Sequence, residues 1–275
     1  MTISSPATSS LATYNRGVRT DEPGNPSESL RAEHTREAIE QRLADGPLHS
    51  YLSDWVYGAI DGTVTTFAVV AGVMGAGLST GVILILGLAN LLADGFSMAV
   101  SNYLGTNAED ERRQKLRRAE LEHIKLHPHG EREEIRQIFA AKGFEGEDLE
   151  RAVETITADV DRWVDTMLTD EHGVSLVGPN PFRAGWTTFW AFVVVGAIPL
   201  LAFAYRYLDR DLDIDLAFAL STVMTGVAFF IVGALKSRFV DQAWWRGGLV
   251  TLGVGGLAAV IAYVTGVLLR GIAGL

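Results

Sequence analysis

Five apolar stretches, at roughly 55–78, 80–104, 185–207, 214–235 and 247–269, constrain this chain more than any other feature of its sequence. Each reaches or approaches the ~20 residues with which an α-helix crosses a ~30 Å hydrocarbon layer. The charges are distributed to match. Of 23 Lys and Arg and 33 Asp and Glu, 13 lie in 1–54 and 30 in 105–183, leaving 13 for the other 142 residues. A soluble globule spreads charge over its whole surface, so this pattern predicts an all-α membrane protein carrying one charged insert. The chain has no Cys, which excludes disulfides, thiolate zinc sites and iron–sulfur clusters. Its net charge of −10 speaks against a nucleic-acid partner, because phosphate recognition needs a basic face.

Residues 1–29 are rich in Ser, Thr, Pro, Gly and Asn and hold no apolar run, so they are expected to be disordered and are not a signal peptide. Residues 30–43 have the composition of a short polar helix, ended by Gly46-Pro47. The chain then divides into 48–104 with two spans, an insert at 105–183, and 184–275 with three spans. The first two spans are joined only around Leu78-Ser79-Thr80, which makes them a tight antiparallel hairpin. The insert is expected to be a three-helix domain. Residues 106–126 continue the second span as one rod of about 45 residues, ~65 Å long at 1.5 Å per residue. Pro128 and Gly130 break the rod. Helices at 131–142 and 147–171 follow, with apolar stripes Ile135, Ile138, Phe139 and Val153, Ile156, Val160, Trp163, Val164, Met167, Leu168.

Five crossings put the termini on opposite sides. One side collects Arg31, Arg36, Arg42, twelve Lys and Arg of the insert, Lys236, Arg238 and Arg246; the other collects Arg206, Arg210 and Arg270. The positive-inside rule makes the first side cytosolic, with the N-terminus and insert inside and the C-terminus outside.

Two carboxylates lie well inside apolar spans, Asp61 in the first and Asp94 in the second. Such a group costs about 2.5–3.5 kcal/mol at mid-membrane, so it marks an ion pathway unless a neighbouring hydroxyl holds it protonated as helix glue. Asp61 lies six residues after Trp55 and Met98 six before Leu104, which sets them at similar depth in the hairpin; Asp94 is one turn deeper. Asn90, Asp94, Met98 and Asn102 recur every fourth residue and form one stripe of oxygen and thioether donors. Carboxylate with thioether suits Fe(II) or Mn(II) better than Ca or Mg. Gly58 and Gly62 form a GxxxG pair, a spacing that lets helices approach closely, often in a dimer.

The insert holds 18 Asp and Glu and four of the six His. Candidate ligands are Glu109, Glu120, His123, Glu131, Glu134 and Glu171, with Met167. Glu120 with His123, and Glu131 with Glu134, are three residues apart and can each converge on one ion from one helix face. The alternative is a solvated acidic face paired with Arg and Lys. Binding requires the two pairs to face each other across the Pro128–Gly130 turn. His34, His49, His127, His129 and His172 are expected at the surface with no role.

The run Asp54-Trp55-Val56-Tyr57-Gly58-Ala59-Ile60-Asp61-Gly62-Thr63-Val64-Thr65-Thr66-Phe67-Ala68 resembles the first membrane helix of the vacuolar iron transporter family. Ala93-Asp94-Gly95-Phe96-Ser97-Met98-Ala99-Val100-Ser101-Asn102-Tyr103-Leu104, followed by Glu109, is similar to its second. Pro181-Phe182-Arg183-Ala184-Gly185 and Ile198-Pro199-Leu200 fit its third, so the likeness covers about 48–275. The resemblance implies a dimeric, proton-coupled exporter of cytosolic Fe(II), and in some members Mn(II), with a pathway lined by the first two helices of both subunits. It implies that Asp61 and Met98 are pore ligands. It implies that Glu120, Glu131, Glu134 and Glu171 bind metal in the cytosolic domain, with Met167 beside them. Metal is then cargo, and no resident cofactor is expected. Two positions depart from the family pattern: a frequent Glu eight residues before the methionine is Asn90, and a frequent insert Glu is His123.

Two other readings compete. A membrane-tethered di-iron oxidase would use Glu120-x-x-His123, but that architecture wants a second Glu-x-x-His pair and two lone Glu. A non-transporting metal sensor would leave Asp61 and Asp94 unexplained. The excess of Arg over Lys points to a GC-rich genome and a prokaryotic plasma membrane; in a eukaryote the resemblance would point to the vacuolar membrane.

Overall fold

The computed structural model describes residues 26–45, 50–209, 211–238 and 242–271, and its regular elements are helical. The chain divides into two units, 1–48 and 49–275. In the first, α1 (Pro26–Glu33) and α2 (Arg36–Asp45) stand where one helix was expected. Thr35 separates them, its hydroxyl accepting from the Ala38 amide at 3.3 Å as an N-cap does. Pro26–Ser29, expected to be disordered, form the first turn of α1. Residues 1–25 and the Gly46-Pro47 stop lie outside the described residues.

The second unit begins with α3 (Leu52–Gly75) and α4 (Thr80–Leu126). Gly77, at φ +73°, makes the sharp turn between them, a conformation that costs a residue without Cβ nothing. As expected, α4 is one rod; its 47 residues are ~70 Å long at 1.5 Å per residue. Beyond the insert come α8 (Pro181–Gly196), α9 (Ile198–Leu208), α10 (Ile214–Lys236) and α11 (Trp244–Arg270). Four helices, α3, α4, α10 and α11, are each long and apolar enough to span a membrane. The stretch expected as a single third span is broken: α8 and α9 meet at 47°. Pro199 has no N–H for the Val195 carbonyl, and its ring crowds that turn. Ser221 of α10 holds the bend by donating to the Pro199 carbonyl at 2.7 Å.

The bundle packs around α3, which touches α4, α8, α10 and α11. Phe67, Val70, Ile83, Leu91, Phe192 and Phe203 form its main core. Gly58 and Gly62 serve this packing. A Cβ on Gly58 would sit 2.5 Å from the Thr188 carbonyl oxygen, and one on Gly62 would strike the Phe192 backbone. The GxxxG face of α3 is therefore filled by α8 of the same chain and is not free for a dimer contact.

The insert is more divided than the expected three helices. After α4 come α5 (Pro128–Ala141), α6 (Gly146–Thr157) and α7 (Val160–Thr166), which runs into a π-helical turn, Met167–Glu171. The single helix expected at 147–171 breaks because Asp159 caps a new one, accepting from the Arg162 amide at 2.8 Å. Val160, assigned to the apolar stripe, is 49% exposed at that new start. Gly130 lies within α5, and the rod ends at His127. Ile124, Ile135, Val153, Trp163, Val164, Met167 and Leu168 form the insert's own core.

Candidate metal centre

Two sets of polar side chains sit at different levels of α4. The first lies among the apolar spans. Asp61 is half-buried on α3; Asp94 is exposed on α4, close enough for the two carboxylates to repel. Met98 packs partly buried against the main core. The Asn90 amide donates to Thr65 Oγ1 at 3.3 Å and Thr66 Oγ1 at 3.5 Å, tying α4 to α3. Asn102 donates to Asp54 Oδ1 at 2.9 Å and to Thr188 Oγ1 at 2.7 Å, joining α3, α4 and α8.

The second set lies in the insert, where α4 ends. The turn at His127 folds α5 back so that Glu131 meets Glu120 and His123, the convergence the sequence permitted. His123 Nδ1 lies 3.6 Å from Glu131 Oε1 and 4.0 Å from Glu120 Oε1. Glu120 and Glu131 are only 4% and 8% exposed. One oxygen of each, Oε2, is buried without a hydrogen-bond partner among the described residues. Burying an unpaired carboxylate is expensive, so each of these groups is suited to hold a proton or a cation.

The surrounding acids show the contrast. Arg117 of α4 clamps Asp165 at 2.5 Å and Asp161 at 2.6 Å; Arg136 pairs with Glu150 at 2.9 Å; Lys142 pairs with Asp170 at 2.6 Å. Among the described residues, Glu120 and Glu131 meet only imidazoles. Pairing with Arg and Lys thus describes the periphery of the insert and not Glu120 and Glu131.

Burial, with Glu134 and Glu120 nearby, pushes the Glu131 carboxyl up to about 7, against the opposing pull of His123. Burial also raises Glu171, again helped by Glu134 and Glu120. Glu134 itself is exposed and acts on the cluster as a rim charge. Met167 is fully buried in the insert's hydrophobic core. Glu109 is not brought to the cluster: it is 70% exposed and faces Arg112 at 3.7 Å.

His172, expected at the surface with no role, stands in this cluster. Its Nε2 lies 2.8 Å from Glu120 Oε1, and it is 26% exposed. The π-helical turn delivers it: the His172 amide bonds five residues back to Met167 O at 3.2 Å, and Gly173, at φ +63°, ends the helix there. Gly173 marks a helix end in the sequence, but nothing local says that the end meets Glu120, 52 residues earlier. His34, His127 and His129 are exposed as expected, and His49 lies outside the described residues.

Two groups of ligand atoms, each within 4.8 Å of one another, result: Glu120, His123 and Glu131, and Glu120, Glu171 and His172. The second Glu-x-x-His pair of a di-iron oxidase is in neither group.

The VIT family's sequence pattern matches residues 52–267. A vacuolar iron transporter of Toxoplasma gondii is 30% identical over 258 residues, covering 90% of this chain and 85% of that protein. Vacuolar iron transporter 1 of Arabidopsis thaliana is 31% identical over 76% of this chain and 82% of its own length. The vacuolar iron transporter of Plasmodium falciparum is 28% identical over 78% of this chain and 81% of its own.

Proposed function

Since this chain belongs to the VIT family, the vacuolar iron transporters, we propose that it exports Fe(II), and also Mn(II), from the cytosol in exchange for protons. The observation that carries the reading is the pair of buried carboxylates, Glu120 and Glu131, that no Lys or Arg pairs among the described residues, at the end of the helix that carries Asp94 and Met98 between the membrane spans. Met98 and Glu120 are 22 residues apart on that helix, ~33 Å at 1.5 Å per residue. Metal gathers on the insert and then passes between α3 and α4, where Asp61 and Met98 bind it. A proton arriving at Asp61 or Asp94 neutralises the carboxylate, weakens its hold on the ion and couples the two flows.

The pathway is completed by a second copy of the chain. Asp94, with Ser97 and Ser101, lies on an exposed face of α4 beside Leu88, Leu92 and Phe96. A carboxylate facing lipid is costly, whereas a homodimer closing over that face places it in a polar seam. The insert and N-terminus lie in the cytosol and the C-terminus outside, with α8 and α9 together making the third crossing.

Proteoliposomes test the reading. Fe(II) and Mn(II) should enter vesicles faster when a pH gradient drives protons the opposite way. Flux of neither metal, with or without a gradient, would refute transport.

A further inference from the structure

We propose that the groove between α4 and α8 binds a phospholipid with an anionic headgroup, its phosphate on Arg183 and an acyl chain along the rings. The inference rests on the chain's spanning a membrane and not on which ion it carries. Gly185 of α8 sets the floor: a Cβ there would lie 2.7 Å from the Ala99 carbonyl oxygen of α4, so the two helices touch backbone to backbone. Large side chains stand on either side of that contact. Phe96, Val100 and Tyr103 of α4 and Phe182, Trp186 and Phe189 of α8 enclose a groove of about 300 Å³. Phe182 stacks on Trp186 with ring centres 5.9 Å apart, and Trp186 on Phe189 at 6.4 Å, which makes one wall of the groove stiff.

The groove lies at the insert-side end of the spans. On α4 it runs from Tyr103 back to Phe96, ~10 Å at 1.5 Å per residue, and Tyr103 stands six residues before Glu109, the first charge of the rod. Arg183 sits in the first turn of α8, at the depth of the headgroups. It is exposed; its backbone amide donates to Asn180 Oδ1 at 3.1 Å, and its guanidinium joins no ion pair among the described residues. Trp186, three residues on, is its neighbour on the helix surface.

Charge decides the occupant. An acyl chain gains nothing by leaving other acyl chains, so apolar contact alone selects no lipid. An unpaired guanidinium, a planar fork that matches phosphate, supplies the selection. Phosphatidylcholine brings the same phosphate with a choline cation that opposes Arg183, so a net negative headgroup is preferred. A second copy of the chain is a poor occupant, because a two-fold contact here sets groove on groove and Arg183 near Arg183. The face proposed to meet a second copy is a different one. At ~100° per residue Ser97 and Ser101 fall within ~60° of Asp94, whereas Ala99, Val100 and Tyr103 stand ~120–180° around α4.

The test uses the full chain, delipidated in detergent and offered phosphatidylglycerol and phosphatidylcholine of identical acyl chains in equal amounts. Native mass spectrometry counts the lipid retained. Phosphatidylglycerol should be retained at least about fivefold over phosphatidylcholine, and Arg183→Gln should remove that preference. Val100→Trp leaves Arg183 in place and fills the groove; it should lower phosphatidylglycerol retention by about the same factor. Arg238→Gln, which removes an exposed cation just after α10, should leave retention unchanged. Phosphatidylglycerol with a photoreactive diazirine in its acyl chain should label peptides containing 96–103 or 182–189. Variants are compared at wild-type elution volume and helix content; if Val100→Trp does not fold, Arg183→Gln and the labelling decide. Equal retention of the two lipids, a loss in Arg238→Gln matching that in Arg183→Gln, or labelling only outside these two segments would overturn the inference. So would unchanged lipid retention with an altered oligomeric mass in Val100→Trp, the result expected if a second copy fills the groove.

Discussion

The Asn102 side-chain amide donates one hydrogen to Asp54 Oδ1 at 2.9 Å and the other to Thr188 Oγ1 at 2.7 Å. Three helices are pinned to one another by a single residue, four positions after the proposed pore ligand Met98. Asn102→Leu should leave the Asp54 carboxylate without that donor and lower the thermal midpoint in detergent, by an amount matching about 1–3 kcal/mol. Asn102→Asp sets a second carboxylate against the first and should be worse. Equal midpoints in all three proteins would show that the node carries no stability.

Transport should depend on the proposed pore residues in a graded way. Asp61→Asn keeps size and removes the charge that neutralises the ion, so flux into liposomes should stop. Met98→Leu keeps volume and deletes sulfur; Fe(II) flux should fall while the fold survives, since such swaps cost under ~1.5 kcal/mol. Asp94→Asn should lie between and flatten the pH dependence. Wild-type flux in Asp61→Asn would place the pathway elsewhere.

Glu131 makes the stability of the metal-free protein depend on pH. Its carboxyl holds a proton up to about 7 when folded, against an ordinary value of 4.5. The native state thus binds more protons than the unfolded one between those values, and stability declines as pH rises through that window. Glu131→Gln removes this dependence. Its advantage in thermal midpoint over the wild type should be absent near pH 4, grow with pH and level off above about 7. Metal affinity should run the other way and strengthen with pH, because the ion needs the ionised form.

Gly58 and Gly62 should tolerate no side chain. Gly62→Ala drives a methyl group into the α8 backbone at Phe192, and α8 cannot yield without moving the whole bundle. Overpacking of this kind costs ~1–3 kcal/mol or more, seen as lost yield and a lowered midpoint of the purified protein. Gly105→Ala, where a Cβ meets nothing within 4 Å, serves as the control.

Reporter fusions after Gly130 and at the C-terminus should signal from opposite sides of the membrane, as the loop charges require. Signals from one side would remove a crossing and make α8 and α9 a re-entrant pair.

Hydropathy located the spans because an apolar helix in lipid has few alternatives, and the continuous rod was legible in 106–126, which lacks Pro and Gly after Gly105. The Glu120, His123 and Glu131 convergence was a geometric possibility that the His127 turn realised. What escaped was tertiary. Pro199 was visible, but the size of its bend depends on how α10 packs and on the Ser221 hydroxyl. The GxxxG spacing announced a close approach without saying whether α8 or another chain would make it. His172 escaped because its role depends on an extra residue in one helical turn and on a partner 52 positions away.

Because α4 runs from Thr80 to Leu126 without interruption, its two polar sets keep a fixed angular phase. At ~100° per residue, Glu120 stands only ~40° around the axis from Met98. One residue added in the rod between 106 and 116 would swing the carboxylates ~100° around the axis relative to Asp94 and Met98, while seven, two turns, would restore the phase to within ~20°. The rod acts as a gear shaft: length changes in it are tolerated in steps of whole turns, and any twist imposed at Glu120 is delivered at Asp94 and Met98.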